Sequence, residues 1–304
     1  MIDLVQLRTF VCVAEEQHLT RAAERLHISQ SAASAHVRAI EDHFDTQLFI
    51  RTNRNLKLTH AGERLLDEAR TLLNNASVFT SFARKLRGKM EGQLVIGTSS
   101  DPSSRAADTV AALLTAHPLI SVDLRARPSA GTRQDLKTGE LDAGILLGPS
   151  NDSDINHYEL THFGFRIVGP IALKEQIESA DWEALAGLPW ITPLDTSMAY
   201  SALLDDMFTS RGLTPRSVAR FDNASLARAM SKAGVGLTLM REDHAHEDAE
   251  ADLLAISPIA HAQLPLYVVH LASRKSDPLI EAFVAAALSV WPDAPSAPSK
   301  DHTP

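Results

Sequence analysis

Apolar residues recur at helical spacing through most of the first ninety residues. The spacing predicts one helix over residues 4–14 and a second, short helix that ends near residue 28. A third helix is predicted from four core-facing positions, spaced four, three and four residues apart: Ala33, Val37, Ile40 and Phe44. Ser29 and Ser31 lie where this helix begins, and a hydroxyl there can accept from the unpaired N–H groups of the first turn.

A basic segment follows the third helix and predicts a hairpin. Two short helices and a hairpin form the arrangement that places one helix in the major groove of double-stranded DNA and a wing beside it. Small polar residues near the helix start suit contact with phosphates and base edges. The candidate DNA-binding residues are Thr20, Arg21, Gln30, Ser31, Ala32, Ser34, Ala35, His36, Arg38, Arg51 and Arg54. Taken alone, the helical pair is a moderately specific signal, and the alternative is a helical hairpin used for protein contact.

A long helix is predicted from about Thr59 to Arg87. Its apolar positions recur at alternating spacings of four and three residues, the pattern of two helices that wind together: Leu65, Ala69, Leu72, Ala76, Phe79, Ala83 and Leu86. At 1.5 Å per residue the helix spans about 43 Å, which suits a spacer in a dimer. We expect Leu65, Leu72, Ala76, Phe79 and Leu86 to carry dimerisation. The alternative is an amphipathic helix that packs on its own domain.

From Gln93 onward, short apolar strands alternate with helices. Repeated strand–helix units indicate mostly parallel sheets with helices on their faces. Two lobes are the better prediction for this length of chain: residues 92–163 with 267–292, and residues 166–263. Residues 1–58 then form the DNA-binding domain and residues 59–88 the linker helix. Residues 293–304 are rich in Pro and Ser, which predicts a disordered tail.

Ligands of such folds bind at the carboxyl ends of the strands. Hydroxyls and small residues follow several of the predicted strands, and hydroxyls together with helix-start N–H groups can hold a carboxylate. The candidate effector-binding residues are Thr98, Ser99, Ser100, Ser129, Leu147, Gly148, Thr196 and Asn223. The alternative for each hydroxyl is that it merely caps a helix.

Charge and cysteine content narrow the class of protein. The net charge is −9, yet residues 1–91 hold slightly more Lys and Arg than Asp and Glu, so DNA binding is expected there. The only cysteine, Cys12, falls on the apolar face of the first helix and is expected in the core. A single thiol forms no internal disulfide, which favours the cytoplasm. No apolar run is long enough to predict a membrane span, and the start does not resemble a signal peptide.

The first ninety residues resemble the LysR-type transcriptional regulators. The resemblance rests on AAxxLxISQSAxSxxVxxIE from Ala22, LFxR from Leu48 and LTxAG from Leu58. It implies an α+β chain with a winged helix-turn-helix, a long dimerisation helix and two α/β lobes similar to periplasmic solute-binding proteins. It also implies operator DNA, a small-molecule effector, a homodimer or homotetramer and, for an activator, RNA polymerase as partners.

The chain departs from the family pattern at three positions of this domain. Members often have Pro where this chain has Ser31, a basic or amide residue at Ala35, and Gly at Asp45. Asp tolerates the left-handed conformation that Gly would take after a helix, at some strain. Some members also carry an arginine near Leu147. Here Ile145, Leu146 and Leu147 are all apolar, which favours an aromatic or apolar carboxylate unless Arg105, Arg127 or Arg133 supplies charge.

Other functions were weighed against these expectations. Residues 242–248 contain two histidines and four carboxylates, a composition that suits a metal, but a solvated acidic surface is the stronger expectation. No sequence motif of a hydrolase, a nucleotide-binding loop or a zinc site is present, so we expect no enzyme activity, no cofactor and no metal. An architectural DNA-binding protein without a ligand would leave the two predicted lobes without a role.

Overall fold

The computed structural model describes residues 2–51, 56–86, 90–98, 104–127, 129–148, 152–196 and 199–291. The chain divides into two compact units. We call them the amino-terminal unit, which contains Met1–Lys89 and the short segments Lys137–Gly139 and Ser276–Pro278, and the carboxyl-terminal unit, which contains Met90–Leu136, Glu140–Lys275 and the chain from Leu279 onward.

The amino-terminal unit is a small helical domain with a two-stranded sheet. Its elements are α1 (Leu4–Glu16), α2 (Leu19–Arg25), α3 (Gln30–Phe44), β1 (Phe49–Arg51), β2 (Leu56–Leu58) and α4 (His60–Leu86). β1 and β2 pair in an antiparallel manner. The core contains Phe10, Val13, Ala22, Ile40 and Leu48, and Cys12 is buried among them as predicted.

One glycine of the family motif has a steric reason. A Cβ on Gly62 would lie 2.3 Å from the carbonyl oxygen of Leu48, so no larger residue fits without moving backbone. This close approach fixes the first turn of α4 against the strand that leads into the hairpin.

The predicted core face of α3 is correct at three positions and wrong at the fourth. Ala33, Val37 and Ile40 are buried, whereas Phe44 is 47% exposed. The helix ends at Phe44, and Asp45 follows in the left-handed conformation with φ 47°. The buried face of α3 ends at Ile40, and Phe44, the last residue of the helix, lies one turn beyond it.

The predicted linker helix is observed as α4, but its apolar positions are divided between two environments. Leu66 and Ala69 are buried in the core of the amino-terminal unit, and Leu65 packs against that core. The first turns of the predicted seam therefore contribute to the core of their own domain, and the dimer role of the half-buried Leu65 stays a prediction. Farther along, Leu72 is 53% exposed and Phe79 73% exposed. The side chain of Leu86 lies outside the described residues.

The carboxyl-terminal unit alternates strands and helices. Its strands are β3 (Glu91–Thr98), β4 (Leu119–Ala126), β5 (Ala143–Leu147), β6 (Ile155–Pro170), β7 (Pro189–Pro193), β8 (Arg216–Phe221), β9 (Thr238–Arg241) and β10 (Leu254–Leu271). Its helices are α5 (Ser104–Ala116), α6 (Ser129–Thr138), α7 (Lys174–Ser179), α8 (Trp182–Gly187), α9 (Ala199–Thr209), α10 (Ala224–Lys232), α11 (Glu242–Glu250) and α12 (Pro278–Val290).

The main sheet has the strand order β4-β3-β5-β10-β6-β9, and a second sheet pairs β7 with β8. β3 is parallel to β4 and β5, and β7 is parallel to β8. β10 is antiparallel to both β5 and β6, and β6 is antiparallel to β9. The expectation of mostly parallel sheets is therefore wrong for the centre of the main sheet, where two long strands run in opposite directions.

These two long strands connect two apolar cores. The first core, which we call lobe 1, contains Leu94, Ile96, Leu160, Leu266 and Phe283. The second, lobe 2, contains Phe165, Trp190, Phe208, Phe221 and Leu264. β6 and β10 each contribute to both cores, so the chain passes between the lobes along these two strands.

Candidate nucleic-acid interface and effector cleft

The start of α3 is capped as the sequence predicts. The Ser29 hydroxyl accepts from the backbone N–H of Ala32 at 3.1 Å. Ser31 does not cap a backbone group; its hydroxyl lies 2.9 Å from that of Ser29. Both serines are exposed at the beginning of α3, so this end of the helix presents hydroxyls to solvent.

The outer face of α3 carries most of the candidate DNA-binding side chains. Gln30, Ala35 and Arg38 are exposed, while Ala32 and Ser34 are half-buried. Ser34 and Arg38 also line a groove of about 440 Å³, together with Phe49 and Ile50 of β1 and Leu56 of β2. Thr20 and Arg21 lie in the first turn of α2, and the Arg21 side chain is exposed.

His36 lies on a different face of α3 from the one predicted. Its Nδ1 lies 2.9 Å from the hydroxyl of Thr9, a buried residue of α1, so the ring packs between two helices. His36 follows Ala35 by about 100° around the helix, which turns it toward α1. We therefore correct its assignment from a DNA-facing residue to a helix-packing residue.

Glu41 joins α3 to the hairpin, a role that the sequence reading missed. Its Oε1 accepts from the backbone N–H groups of Leu48 at 2.8 Å and Phe49 at 3.2 Å. The only sequence signal was its place in the IE pair of the family motif. Arg51 is the last residue of β1, but its side chain and all of Arg54 lie outside the described residues.

The carboxyl ends of three parallel strands bring several effector-binding candidates together. Thr98 pairs with Ala126 of β4 and with Ile145 of β5. Ser129 is buried at the first position of α6, and its hydroxyl donates to the carbonyl oxygen of Leu147 at 3.2 Å. Thr98, Ser129 and Leu147 therefore lie at one edge of lobe 1. Ser99 and Ser100 lie outside the described residues.

Gly148 is the point where the end of β5 meets lobe 2. Its φ is +84°, and its N–H donates to Pro265 at 2.8 Å. A Cβ at this position would lie 2.4 Å from the Cβ of Ala199, the first residue of α9. The strand end of lobe 1 and a helix start of lobe 2 are thus in direct contact here, with no room for a side chain between them.

The two candidates of lobe 2 are less clearly placed for binding. The Asn223 side chain accepts from the N–H of Ser225 at 2.8 Å and so caps α10. Helix capping, the alternative for these polar residues, accounts for this side chain. Thr196 is exposed, three residues beyond Pro193, the last residue of β7.

Two of the three arginines considered as charge partners are already engaged. Arg127 Nε donates to Asp135 at 2.9 Å. The guanidinium of Arg105 lies 5.0 Å from the centre of the Trp291 ring. Arg133 is half-buried on α6. Burial lowers the pKa of His157, and the positive charge of Arg133 lowers it further. Arg127 lies at this edge through its backbone, because its N–H donates to the carbonyl oxygen of Thr98 at 2.7 Å, but its Nε is paired with Asp135.

The acidic and histidine-rich segment 242–248 is largely an exposed surface, with Asp243, His246 and Glu247 open to solvent, but its carboxylates are also paired with cations. Asp248 is 2% exposed and accepts from Arg228 Nε at 2.6 Å and from Lys232 Nζ at 2.5 Å. Glu242 accepts from Arg166 Nε at 2.8 Å. The described residues contain no group with the geometry of a metal site. The expectation of a solvated surface is therefore wrong only for Asp248, whose partners come from α10.

A winged helix-turn-helix followed by two α/β lobes defines a DNA-binding regulator with a ligand-binding domain. Two family models match the chain: "Bacterial regulatory helix-turn-helix protein, lysR family" over residues 4–63, and "LysR substrate binding domain" over residues 87–292. The chain belongs to the LysR family of transcriptional regulators, and its second domain is the effector-binding domain of that family.

Curated relatives agree with this assignment. The HTH-type transcriptional regulator XapR of Escherichia coli is 29% identical over 248 residues, which cover 80% of this chain and 83% of XapR. The Hca operon transcriptional activator HcaR of the same organism is 28% identical over 248 residues, with 79% and 81% covered. Both relatives are transcriptional regulators by name.

Solved structures share the fold over nearly the whole chain. A full-length OxyR variant from Pseudomonas aeruginosa matches with a TM-score of 0.71 at 21% identity and covers 98% of this chain and 99% of its own. CbnR complexed with its target DNA matches with a TM-score of 0.58 at 20% identity, with 95% and 99% covered. The LysG regulator of Corynebacterium glutamicum with bound effector Arg has a TM-score of 0.61 at 22% identity, with 94% and 98% covered.

Within the described part of the chain, no helix has both the length and the apolar character that a membrane crossing requires.

Proposed function

We propose that residues 1–58 bind operator DNA through α3 and the hairpin, that residues 59–88 form the dimer contact, and that the two lobes sense an apolar or aromatic carboxylate. Binding of this effector would change the geometry of the lobes and so the spacing of the two recognition helices in a dimer. The observation that carries the effector proposal is the convergence of Thr98, Ser129 and Leu147 at one edge of lobe 1.

The chemistry of that edge supports the class of ligand. Ile145 and Leu146 are buried and Leu147 is half-buried, so the strand that leads to the edge presents no charge. Arg105 and Arg127 are engaged with Trp291 and Asp135. A carboxylate would therefore be held by the N–H groups at the start of α6 and by hydroxyls, while the rest of the ligand contacts apolar side chains.

A matched ligand set tests the effector class. We expect benzoate and cyclohexanecarboxylate to raise the unfolding temperature of the full-length protein. Benzamide, which keeps the ring and loses the charge, should bind about tenfold more weakly or worse, because hydrogen bonds to a charged group are the stronger ones. Acetate, which lacks the apolar part, should also bind weakly. Calorimetry gives the affinities. Stabilisation by arginine, whose side chain is cationic, but by neither benzoate nor cyclohexanecarboxylate would contradict the proposed class.

Gly148 offers a test of the cleft position. Gly148→Ala places a methyl group where Ala199 lies, and alanine disfavours the positive φ, so the contact between β5 and α9 must open. We expect the variant to lose most of the affinity for the ligand found above and to keep operator affinity within about twofold. Unchanged ligand affinity would place the cleft away from Gly148. Gly212→Ala, also at positive φ but with nothing near its Cβ, controls for backbone strain alone.

Arg38 tests the proposed DNA-reading face. Arg38→Ala removes an exposed guanidinium from the outer face of α3 and should weaken operator binding about 5- to 100-fold, the range for a lost base or phosphate contact. Arg8→Ala removes an exposed cation of α1 and should change affinity little. Gel-shift titrations at several salt concentrations measure both. Equal effects of the two substitutions would mean that α3 has no special role.

A further inference from the structure

Phe163 occupies the crossing between the two lobes. It belongs to β6, one of the two strands that connect the lobes, and it packs against the apolar cores of both. The pairing of β6 with β10 is irregular close by, where the register shifts between Leu266 and Tyr267. Because the Phe163 ring packs against both cores, a movement of one lobe changes the packing of this ring against the other lobe.

On the side of lobe 1, Phe163 contacts the buried Trp291, and an arginine lies over the ring of that tryptophan. The rings of Phe163 and Trp291 meet edge to face, with centroids 6.1 Å apart. Trp291 follows α12 and is 2% exposed. The Arg105 guanidinium lies over the Trp291 ring at 5.0 Å. Arg105 is in the first turn of α5, the helix that follows the segment after Thr98.

On the side of lobe 2, a second arginine, Arg241, lies over the ring of Phe163 itself. The Arg241 guanidinium lies 4.5 Å from the centre of the Phe163 ring, and its side chain is only 11% exposed. Asp243 holds this guanidinium in place through a double hydrogen bond. The neighbouring Glu242 pairs with Arg166 of β6 and lies so close to Gly164 that a Cβ there would meet its carboxylate.

Arg105, Trp291, Phe163 and Arg241 thus form a continuous series of aromatic and cation–π contacts, which we call the cation–aromatic stack. Its ends lie on α5 of lobe 1 and at the junction of β9 and α11 in lobe 2. Each contact has a preferred geometry, so a shift of one member disfavours the position of the next.

We propose that the cation–aromatic stack couples the first turn of α5 to the β9–α11 junction, with Arg105 and Arg241 as positioning residues that act through Trp291 and Phe163. The inference rests on the proposed effector cleft, because α5 is the helix that follows Thr98 along the chain. A ligand that moves the start of α5 would displace Arg105 and, through the stack, the strand that joins the lobes.

Hydrogen exchange of the full-length protein without any ligand tests the coupling. Arg105→Met keeps most of the side-chain length and removes the charge. It should speed amide exchange about two- to fivefold in residues 161–166 and 238–243, as expected for the loss of one cation–π contact. Coupling is reciprocal, so Arg241→Met should speed exchange in residues 104–110 by a similar factor. Since no ligand is present, an error in the effector class cannot produce or hide these changes.

Arg211→Met is the matched control. Arg211 also lies over a tryptophan, Trp182, at 4.0 Å, but Trp182 contacts Phe208 and has no part in the stack. Its loss should change exchange in α8 and α9 and leave residues 161–166 unaffected. In a Phe163→Leu background, Arg105→Met should no longer change amide exchange in residues 238–243. If Arg105→Met alters exchange only in α5 and α12, or if the effects of the two Arg→Met changes are not reciprocal, the coupling is refuted. The reciprocal pair decides the question even if Phe163→Leu does not fold.

Discussion

Four described residues other than glycine adopt the left-handed backbone conformation: Gln17, His27, Asp45 and Asp252. Gln17 and Asp45 each follow a helix of the amino-terminal unit. The sequence reading anticipated Asp45, since the family often has Gly there, but it gave no signal for Gln17. Glutamine has no intrinsic preference for this conformation, so only the surrounding fold selects it.

Asp45 is strained in a way that a single substitution should relieve. Asp45→Gly should raise the free energy of unfolding of the amino-terminal unit by about 0.5–1 kcal/mol, the balance between lost backbone strain and the greater freedom of glycine in the unfolded chain. Urea titration followed by circular dichroism measures it. Asp45→Ala removes the charge but keeps the Cβ and should not stabilise. If alanine and glycine stabilise equally, the carboxylate near the helix end and not the backbone is the cause.

Elements with one strong period were predictable, and those with mixed environments were not. The heptad spacing predicts α4 within one residue at each end, an alternating pattern predicts β4, and short apolar runs predict β5 and β7. The sixteen residues of β6 were missed because they cross from one core to the other and carry no single period. The spacing of apolar residues also could not show that the early turns of α4 pack in their own domain. An apolar seam has the same spacing whether it faces its own domain or a second copy of the helix.

The pairing of α10 with α11 was equally invisible, because Arg228 and Asp248 are 20 residues apart along the chain. Burial alone would raise the pKa of Asp248, but hydrogen bonds from Arg228 and Lys232 outweigh burial and lower it. A carboxylate with a lowered pKa stabilises the fold above its ordinary pKa, and this contribution is lost as the pH falls through the lowered value.

Asp248→Asn should therefore show a pH-dependent cost. Near pH 7 the free energy of unfolding should fall by about 2–3 kcal/mol, because Arg228 keeps only part of its pairing. The difference from the parent protein should begin to shrink below about pH 4, where the carboxylate of the unfolded chain is protonated, and should disappear as the pH falls through the lowered pKa of the folded protein. Urea titrations at several pH values measure this. Glu247→Gln, which changes an exposed partner of the same arginine, should have little effect at any pH. A cost that stays constant down to acid would mean that packing, not charge, is lost.

At the scale of the whole molecule, positive and negative charges are unequally distributed between the two units of the chain. The amino-terminal unit has the exposed cations of α2 and α3, and the excess of acidic residues falls in the remainder of the chain, which a DNA backbone repels. A single recognition helix reads few base pairs, so specificity is expected to come from a two-fold dimer. The exposed apolar residues of α4 are the described surface best suited to that contact.

Phe79 is the sharpest test of the dimer, since it is 73% exposed in the single chain and lies in the centre of the heptad seam. Phe79→Glu would place a charge where the partner helix is expected, and burial of an unpaired charge is costly. Because a two-fold contact contains the residue twice, the dimer dissociation constant should rise at least about tenfold, through the loss of apolar burial alone. Analytical ultracentrifugation measures it, with circular dichroism to verify the fold. Ser77→Glu, at an exposed position on the outer side of α4, should leave association unchanged. A Phe79→Glu protein that dimerises like its parent would mean that the seam serves its own chain, and the source of operator specificity would then lie outside α4.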